Sequence, residues 1–378
     1  MPLRLSTWLP LHHDMGIILT VFVVIMGIEF ELMAPRDFIQ QPKRWTDQLS
    51  RREGDEDQFV YTVVPNFALD LAARYAALEN AEDYDFSQVD GILIGSEPVT
   101  RAAVETFVEA FTPSKLDPLV LRPSYGLAEA TLIVSTPQTE DRPLFKYFDR
   151  EQVGEGRIVE VPEGDATGIA FASNGQPVPD MTVAVVDPST SNEVPEGTIG
   201  ELWIHGDNVA AGYEGREEDT QQTFRNTLGE RLTEGSTVPE GTPDDGWLAT
   251  GDLVSIYQGH LYITGRVKDL IVIAGRNHYP QDIEATVMEA SDHVRPDSVA
   301  AFAVPGEDVE KLVLLVERVE GADPAADALA EDAIRGAVSS KHGISPEVVR
   351  FYAPNEIVRS SSGKIARQVN RKKYLANG

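Results

Sequence analysis

An acid and a base that stand at the ends of apolar strands are the first candidates for chemistry. Asp252 follows one such strand, and Arg266 follows the next after a short polar hairpin. A carboxylate accepts hydrogen bonds from a diol and a guanidinium donates to a sugar or a phosphate, so the pair could bind a phosphorylated sugar. A solvated hairpin closed by an ion pair is the other interpretation, and on spacing alone it is the more frequent one.

A second candidate lies where an apolar strand breaks into a turn, in the sequence Ser-Tyr-Gly-Leu-Ala-Glu at residues 124–129. Tyr125 could stack on a base, Gly126 would let a ligand approach the backbone, and Glu129 could hold Mg²⁺ because this cation prefers carboxylate oxygen. A turn followed by the start of a helix explains the same residues equally well.

The third candidate is Lys364, at the end of the Ser- and Gly-containing loop 360–364 before a predicted terminal helix. A lysine on such a loop can neutralise the charge that develops in a phosphoryl transition state. An exposed lysine beside a helix start is the more common case for any single loop. His12, His13 and Asp14 suggest a metal site, but such a cluster without a distant third ligand is more often structural.

Composition narrows the function classes. The 378 residues contain 61 Asp and Glu against 32 Lys and Arg, a formal charge of −29, so binding of nucleic acid or anionic lipid is not expected as the main function. The absence of cysteine excludes disulfides and thiol nucleophiles and fits a cytoplasmic location. The apolar run 15–28 is too short to span a membrane and is expected to form a buried helix.

The order of apolar runs along the chain predicts an α/β fold. Apolar strands at 58–64, 89–94 and 119–122 alternate with helical patterns, which is typical of a parallel, doubly wound sheet with ligands at the carboxyl ends of its strands. The breaks at residues 95–98 and 123–126 both follow such strands. The fold class is therefore a partial doubly wound sheet.

Three further regions follow that sheet. Residues 136–180 are polar and rich in Gly and Pro, and we expect an inserted segment rather than a core element. Short strands in 181–264 predict a small β-barrel or sandwich subdomain, which completes a first domain of residues 1–264. Residues 265–378 predict a small α+β C-terminal domain, with its hinge near Lys268.

Taken together and in order, these segments resemble the core motifs of the acyl-adenylate-forming superfamily. The matching segments read Pro-Leu-His-His-Asp-Met-Gly, Gly-Ser-Glu-Pro, Tyr-Gly-Leu-Ala-Glu, Thr-Gly-Asp, Gly-Arg-Val-Lys-Asp and Ser-Gly-Lys. Residues 124–132 and 275–284 look specifically like fatty acyl-AMP ligases, closest to the actinobacterial long-chain enzymes of mycolic acid synthesis. Residues 136–180 fall where those ligases carry an insertion that acyl-CoA ligases lack.

The resemblance implies a role for each matching residue. It assigns Gly95, Ser96, Glu97, Pro98, Ser124, Tyr125 and Gly126 to the adenine pocket, Asp252 and Arg266 to the ribose, Glu129 to Mg²⁺, Lys364 and His13 to catalysis, and Lys268 to the hinge. The implied reaction joins a fatty acid to the α-phosphate of ATP. The acyl group then passes to an acyl carrier protein of a polyketide synthase.

One family feature has no counterpart here, namely the phosphate loop that ends in Pro-Lys-Gly and should precede the His-His-Asp segment. We therefore expect a chain that is shortened at its N-terminus, in which the β- and γ-phosphates of ATP lack backbone donors. Two alternatives stay open beside the acyl-AMP ligase. They are a long-chain acyl-CoA ligase and a catalytically inactive remnant that at most binds nucleotide or a carrier protein.

Overall fold

The computed structural model describes residues 2–54, 57–76, 81–138, 145–306, 309–360 and 363–377. The chain divides into two compact units. The first comprises Met1–Phe148, Glu160–Thr250 and Val254–Ile263, and the second comprises Asp149–Val159, Gly251–Leu253 and Thr264–Gly378. The domain boundary expected near residue 264 stays a prediction.

The described helices and strands alternate along most of the chain. The helices are α1 Asp14–Met26, α2 Pro35–Gln40, α3 Lys43–Leu49, α4 Phe67–Ala76, α5 Arg101–Phe111, α6 Arg150–Gly154, α7 Glu217–Phe224, α8 Pro280–Ala290, α9 Asp327–His342 and α10 Arg367–Asn377. The strands are β1 Leu3–Thr7, β2 Glu29–Leu32, β3 Phe59–Pro65, β4 Val89–Gly95, β5 Leu121–Pro123, β6 Tyr125–Leu127, β7 Leu132–Thr136, β8 Phe145–Asp149, β9 Glu160–Val161, β10 Gly168–Ala172, β11 Gln176–Pro177, β12 Met181–Val186, β13 Gly200–Gly206, β14 Leu248–Tyr257, β15 His260–Arg266, β16 Ile271–Ile273, β17 Arg276–His278, β18 Val294–Val304, β19 Lys311–Arg318 and β20 Val348–Tyr352.

The first unit is built on a five-stranded sheet in the order β2-β1-β3-β4-β5, in which every pair is parallel. The chain runs outward from β1 to β2 and then back across β1 to β3, so the strand order reverses between β1 and β3. Such a switch point is where ligands bind in doubly wound sheets. The α/β prediction is confirmed, and the fully buried Trp45, Phe107 and Phe111 fill the core beside the sheet.

Helix α1 differs from the expected buried helix. It begins after His13, which caps it, and ends at Gly27, whose φ of 64° lies in the left-handed region that favours glycine. Its sequence is apolar on all sides, but Val24 and Ile25 are 73% and 76% exposed. The expectation that the whole run 15–28 is buried is therefore wrong, because only one face of the helix packs on the sheet. No helix in the described residues is long and apolar enough to cross a membrane.

The later strands of the first unit form smaller sheets. Strands β12-β13-β14-β15 pair in that order, and no pairing between β12 and β15 closes a barrel in the described part of the chain. Residues 136–180 contain their own packed elements, because Phe148 is completely buried and its ring contacts Phe171, Tyr257 and Tyr262. Phe148 therefore lies in a packed core, while the expectation that residues 136–180 form an inserted segment stays a prediction.

The second unit has the α+β composition that the sequence predicts. Strands β18 and β19 are antiparallel, β20 runs parallel to β19, and helices α8 and α9 pack against this sheet around Ile283, Val287 and Ile334. Helix α10 packs on β18. The short helix α6 belongs to this unit as well, through its segment Asp149–Val159.

Candidate functional site

The breaks after β4 and β5 lie side by side at the carboxyl edge of the parallel sheet. The backbone N–H of Ser124 donates to the carbonyl of Ile94 at 2.8 Å, and a Cβ at Gly95 would lie 3.2 Å from the Ser124 carbonyl oxygen. Ser96 follows with a φ of 70°, a strained conformation for a residue with a side chain. The chain is thus held tightly where the sequence predicts the adenine pocket.

Glu97 has a structural partner in this region. Its Oε1 accepts a hydrogen bond of 2.6 Å from the backbone N–H of Phe67, the first residue of α4. A carboxylate at this position satisfies a free helix N–H and complements the helix dipole. Its place in an adenine pocket, like that of Pro98, stays a prediction.

The backbone around residue 126 leaves no room for a side chain, so this position requires glycine. A Cβ there would lie only 1.7 Å from the carbonyl oxygen of Leu132, because β6 and β7 meet in a tight turn at this point. Thr131 and Leu132 complete the turn with φ values of 52° and 82°. The turn sets the direction of Glu129, which lies between the two strands.

Glu129 is held by a residue that the sequence analysis missed. The hydroxyl of Tyr213 donates to its Oε1 at 2.6 Å. Burial and the adjacent carboxylate raise the pKa of Tyr213 to about 12, so the hydroxyl stays protonated at neutral pH. Backbone bonds add to this contact, since the N–H of Ala210 donates to the Glu129 carbonyl. No local sequence signal marks Tyr213, because it lies 84 positions after Glu129.

The carboxylate of Glu129 fits one ligand of a magnesium ion. Among the residues described, no group of three or more His, Asp or Glu is placed to hold a metal without other ligands. Mg²⁺ commonly takes one or two protein carboxylates and completes its shell with water and substrate phosphate. His13 instead caps α1, accepting from the N–H of Met15 and lying 2.5 Å from Asp14. A metal site at His12, His13 and Asp14 therefore gains no support.

In the second unit, Asp252 and Arg266 form the ion pair that their spacing allows. The Nε of Arg266 lies 2.7 Å from Oδ1 of Asp252, with the aspartate side chain 12% exposed and the arginine 63% exposed. Strands β14 and β15 are neighbours in their sheet and bring the two residues together. The hydroxyl of Thr264 donates to the Leu253 carbonyl beside them. The pair offers an oriented carboxylate beside an accessible guanidinium.

The loop of Lys364 is fixed by a backbone hydrogen bond within it and by side-chain contacts of the residues that follow it. The N–H of Ser360 donates to the Lys364 carbonyl at 2.8 Å, whereas Ser361 and Ser362 lie outside the described residues. Just after the loop, Arg367 pairs with the buried Glu284 at 2.5 Å. Gln368 donates to the carbonyl of Lys268 at 2.7 Å, so the predicted hinge and the start of α10 are in contact.

A parallel sheet with a switch point and turns at its strand ends is typical of nucleotide-binding α/β folds. Residues 3–214 match the family model described as AMP-binding enzyme, and residues 268–378 match the AMP domain of Disco-interacting protein 2-like proteins. The first match covers more than half of the chain. The chain belongs to the AMP-binding enzyme family.

Curated relatives define its position within the family. The chain is 40% identical to long-chain-fatty-acid–AMP ligase FadD32 of Mycobacterium marinum, over 98% of this chain and 62% of that protein. FadD32 of Mycolicibacterium smegmatis is 41% identical with the same coverage. A protein of Mycobacterium tuberculosis named fatty-acid–CoA ligase fadD25 is 40% identical over 96% of this chain and 60% of its own length. The chain thus spans about three fifths of these relatives.

Solved structures agree with this assignment. One from a study of fatty acyl-adenylate ligases from E. coli and L. pneumophila superposes with a TM-score of 0.84 at 27% identity, covering 99% of this chain and 62% of that one. A fatty acyl-adenylate ligase from L. pneumophila in complex with acyl adenylate and pyrophosphate gives a TM-score of 0.62 at 29% identity, with the same coverage.

Proposed function

We propose that this chain acts as a long-chain fatty acid–AMP ligase. It would form an acyl-adenylate from ATP and a fatty acid and pass the acyl group to an acyl carrier protein of a polyketide synthase. The observation that carries the proposal is the 40% identity to a long-chain-fatty-acid–AMP ligase over 98% of this chain. A cytoplasmic location is part of the proposal, since ATP is required.

The roles proposed for the residues follow their surroundings. Ser124, Gly95 and their neighbours through Pro98 and Gly126 would bind adenine at the carboxyl edge of the sheet, where backbone groups converge. Asp252, oriented by Arg266, would accept hydrogen bonds from the ribose hydroxyls. Lys268 would serve as the hinge, supported by its contact with Gln368.

The reaction is an attack of the fatty carboxylate oxygen on the α-phosphorus of ATP. A bond forms between the carboxylate and phosphorus, the bond to the β-phosphate breaks, and pyrophosphate leaves. Lys364 would neutralise the charge that accumulates on the phosphoryl oxygens, and His13 would lie where the acyl chain meets the α-phosphate. Magnesium, with Glu129 as a ligand, would supply further charge neutralisation. The carrier thiol then attacks the acyl carbonyl and AMP departs.

One relative favours a second candidate, a long-chain acyl-CoA ligase. The protein named fatty-acid–CoA ligase fadD25 is as similar to this chain as FadD32 is. Both activities share the adenylate and differ only in the thiol that receives the acyl group. Incubating the acyl-adenylate with coenzyme A or with a holo acyl carrier protein decides between them, by the thioester that forms.

Fatty-acid-dependent exchange of pyrophosphate into ATP tests the proposal directly. We expect exchange by the unaltered chain and a loss of about 100-fold or more in Lys364→Ala, because a charge that stabilises the transition state is removed. Lys115→Ala is the matched control, since this exposed lysine pairs with Asp85 in the first unit. Equal exchange by both variants contradicts the role of Lys364. If the unaltered chain is folded but shows no exchange, the catalytically inactive remnant is the correct alternative.

A further inference from the structure

Positive charge is concentrated at the end of this acidic chain. Residues 357–378 contain six Lys and Arg and no Asp or Glu, while the chain as a whole carries a formal charge of −29. A local field of opposite sign attracts a partner that the rest of the molecule repels.

Three of the cations already hold the fold together. Arg367 pairs with Glu284, Arg371 donates to the carbonyl of Ala303 at 2.7 Å, and Arg359 donates to the carbonyls of Gly363 and Asp297. These side chains fix α10 and the loop before it. They are structural, and they do not define a binding surface.

Lys372 and Lys373 remain exposed on the outer face of α10. Arg350 of β20 joins them, because its guanidinium lies 4.9 Å above the ring of Tyr374 and it lines the same cavity as Lys373. Among the residues that the structure describes, none of Lys372, Lys373 and Arg350 takes part in an ion pair. Glu356 is the one acid lining the cavity, and its carboxylate accepts from the N–H of Ala353.

The same surface offers apolar contacts. Val369 on α10 is 50% exposed. The cavity between Arg350 and Lys373 has a volume of about 30 Å³, with Leu315 and Ile357 among its lining residues. Val369 is three and four residues before the two lysines, so all three share one helix face. Cations around an apolar notch suit a partner whose acids surround an apolar side chain.

We propose that this basic surface, formed by Arg350, Val369, Lys372 and Lys373, docks an acidic protein domain, namely the carrier that receives the acyl group. The proposal rests on the proposed function. A compact domain would contact only the basic surface, whereas a membrane or a nucleic acid extends past it and meets the acidic remainder of the chain. Charge and size together therefore favour a small acidic protein.

The test compares two double charge reversals in the full chain. The probe is a fluorescently labelled apo acyl carrier protein domain of a polyketide synthase, and anisotropy measures its binding at several salt concentrations. We expect Lys372→Glu with Lys373→Glu to weaken binding about tenfold or more at low salt and to flatten the salt dependence. The control is Lys311→Glu with Lys341→Glu, which changes the net charge equally on exposed lysines of the same unit.

Equal binding by the two double variants overturns the proposal, because only the net charge would then matter. The proposal is also overturned, in favour of a lipid surface, if the unaltered chain binds vesicles of phosphatidylglycerol but not the carrier. Lys372→Glu with Lys373→Glu would then lose the binding to vesicles. Pyrophosphate exchange measured without the carrier should be unchanged in both double variants. Since binding is measured directly, a chain that binds the carrier through this surface but performs no exchange contradicts the proposed function alone.

Discussion

The carboxylates of the candidate site are held by neighbours through direct hydrogen bonds. Glu129 accepts from Tyr213, and Asp252 is bonded by Arg266. Fixing a charged group in advance reduces the reorganisation that ligand binding would otherwise require. The sequence identified Glu129, Asp252 and Arg266, because they stand in recognisable motifs. It did not identify Tyr213, since the contact joins residues 84 positions apart and leaves no local pattern.

Replacing Tyr213 with Phe tests this positioning. The change removes one hydrogen bond to a charged group, worth about 1.5–3 kcal/mol in general, while the ring keeps its packing. We expect the Mg²⁺ concentration for half-maximal pyrophosphate exchange to rise several-fold with little change in thermal stability. Tyr257→Phe, which removes a similar bond to the carboxylate of Glu160, is the control and should leave the Mg²⁺ requirement unchanged.

A buried histidine gives the second unit a pH dependence. The Nε2 of His342 lies 2.7 Å from the hydroxyl of Thr286, and its Nδ1 lies 3.6 Å from Asp282, which Arg150 contacts at 2.7 Å. Burial, with repulsion from Arg150, lowers the pKa of His342 to about 3. Burial raises the pKa of Asp282 to about 6. At neutral pH the histidine is therefore neutral and the aspartate is ionised beside Arg150.

These two pKa shifts act in opposite directions on stability. Below pH 6.5 the unfolded chain protonates His342 whereas the folded chain does so only near pH 3, so this group destabilises the fold as the pH falls. The folded chain protonates Asp282 near pH 6, at a higher pH than the unfolded chain does. This group therefore stabilises the fold as the pH falls. The two effects partly cancel in the unaltered chain.

His342→Gln separates the two effects, since glutamine can bond Thr286 but does not titrate. Between pH 7 and pH 5, we expect the variant to gain up to about 2 kcal/mol in free energy of unfolding relative to the unaltered chain. Urea denaturation at both pH values measures the difference. A constant difference would show that His342 titrates normally in the folded state. His293→Gln, beside Asp327, is the control.

At the scale of elements, the parallel strands were predictable because each is a continuous apolar run bounded by a turn signal. The exposed face of α1 was not, since a helix that is apolar on all sides looks buried wherever it packs. The packed elements of residues 136–180 were also missed. Their polar composition gave no sign that Phe148 is buried. Its ring packs on Phe171 and Tyr257, which lie more than twenty and more than one hundred residues later.

The turn between β6 and β7 depends on one residue that cannot carry a side chain. In Gly126→Ala the new methyl would meet the Leu132 carbonyl, so β7 must shift, and we expect a loss of about 2–3 kcal/mol in stability. Chemical denaturation measures it. Gly336→Ala in α9 is the control, because no atom lies within 4 Å and helix propensity should add up to about 1 kcal/mol. A neutral Gly126→Ala would show that the turn relaxes freely.

For the whole molecule, the sequence predicted an α/β region followed by an α+β region, from the order of its apolar strands, helical patterns and turn signals. It could not predict how the segments divide between compact units. Residues 149–159 lie far along the chain from the other members of the second unit, and local patterns do not encode such pairings. Four of the predicted site residues belong to the second unit, namely Asp252, Arg266, Lys268 and Lys364.

The membership of α6 in the second unit has a consequence for biosynthesis. Arg150 leaves the ribosome well over one hundred residues before its partner Asp282, and Val153, which is 2% exposed in the fold, emerges equally early. Contacts of such long sequence separation form late, and apolar segments that wait for them are open to misassembly. A nascent chain therefore completes its second unit only after translation has passed α8. Until then the segment Asp149–Val159 lacks its partners.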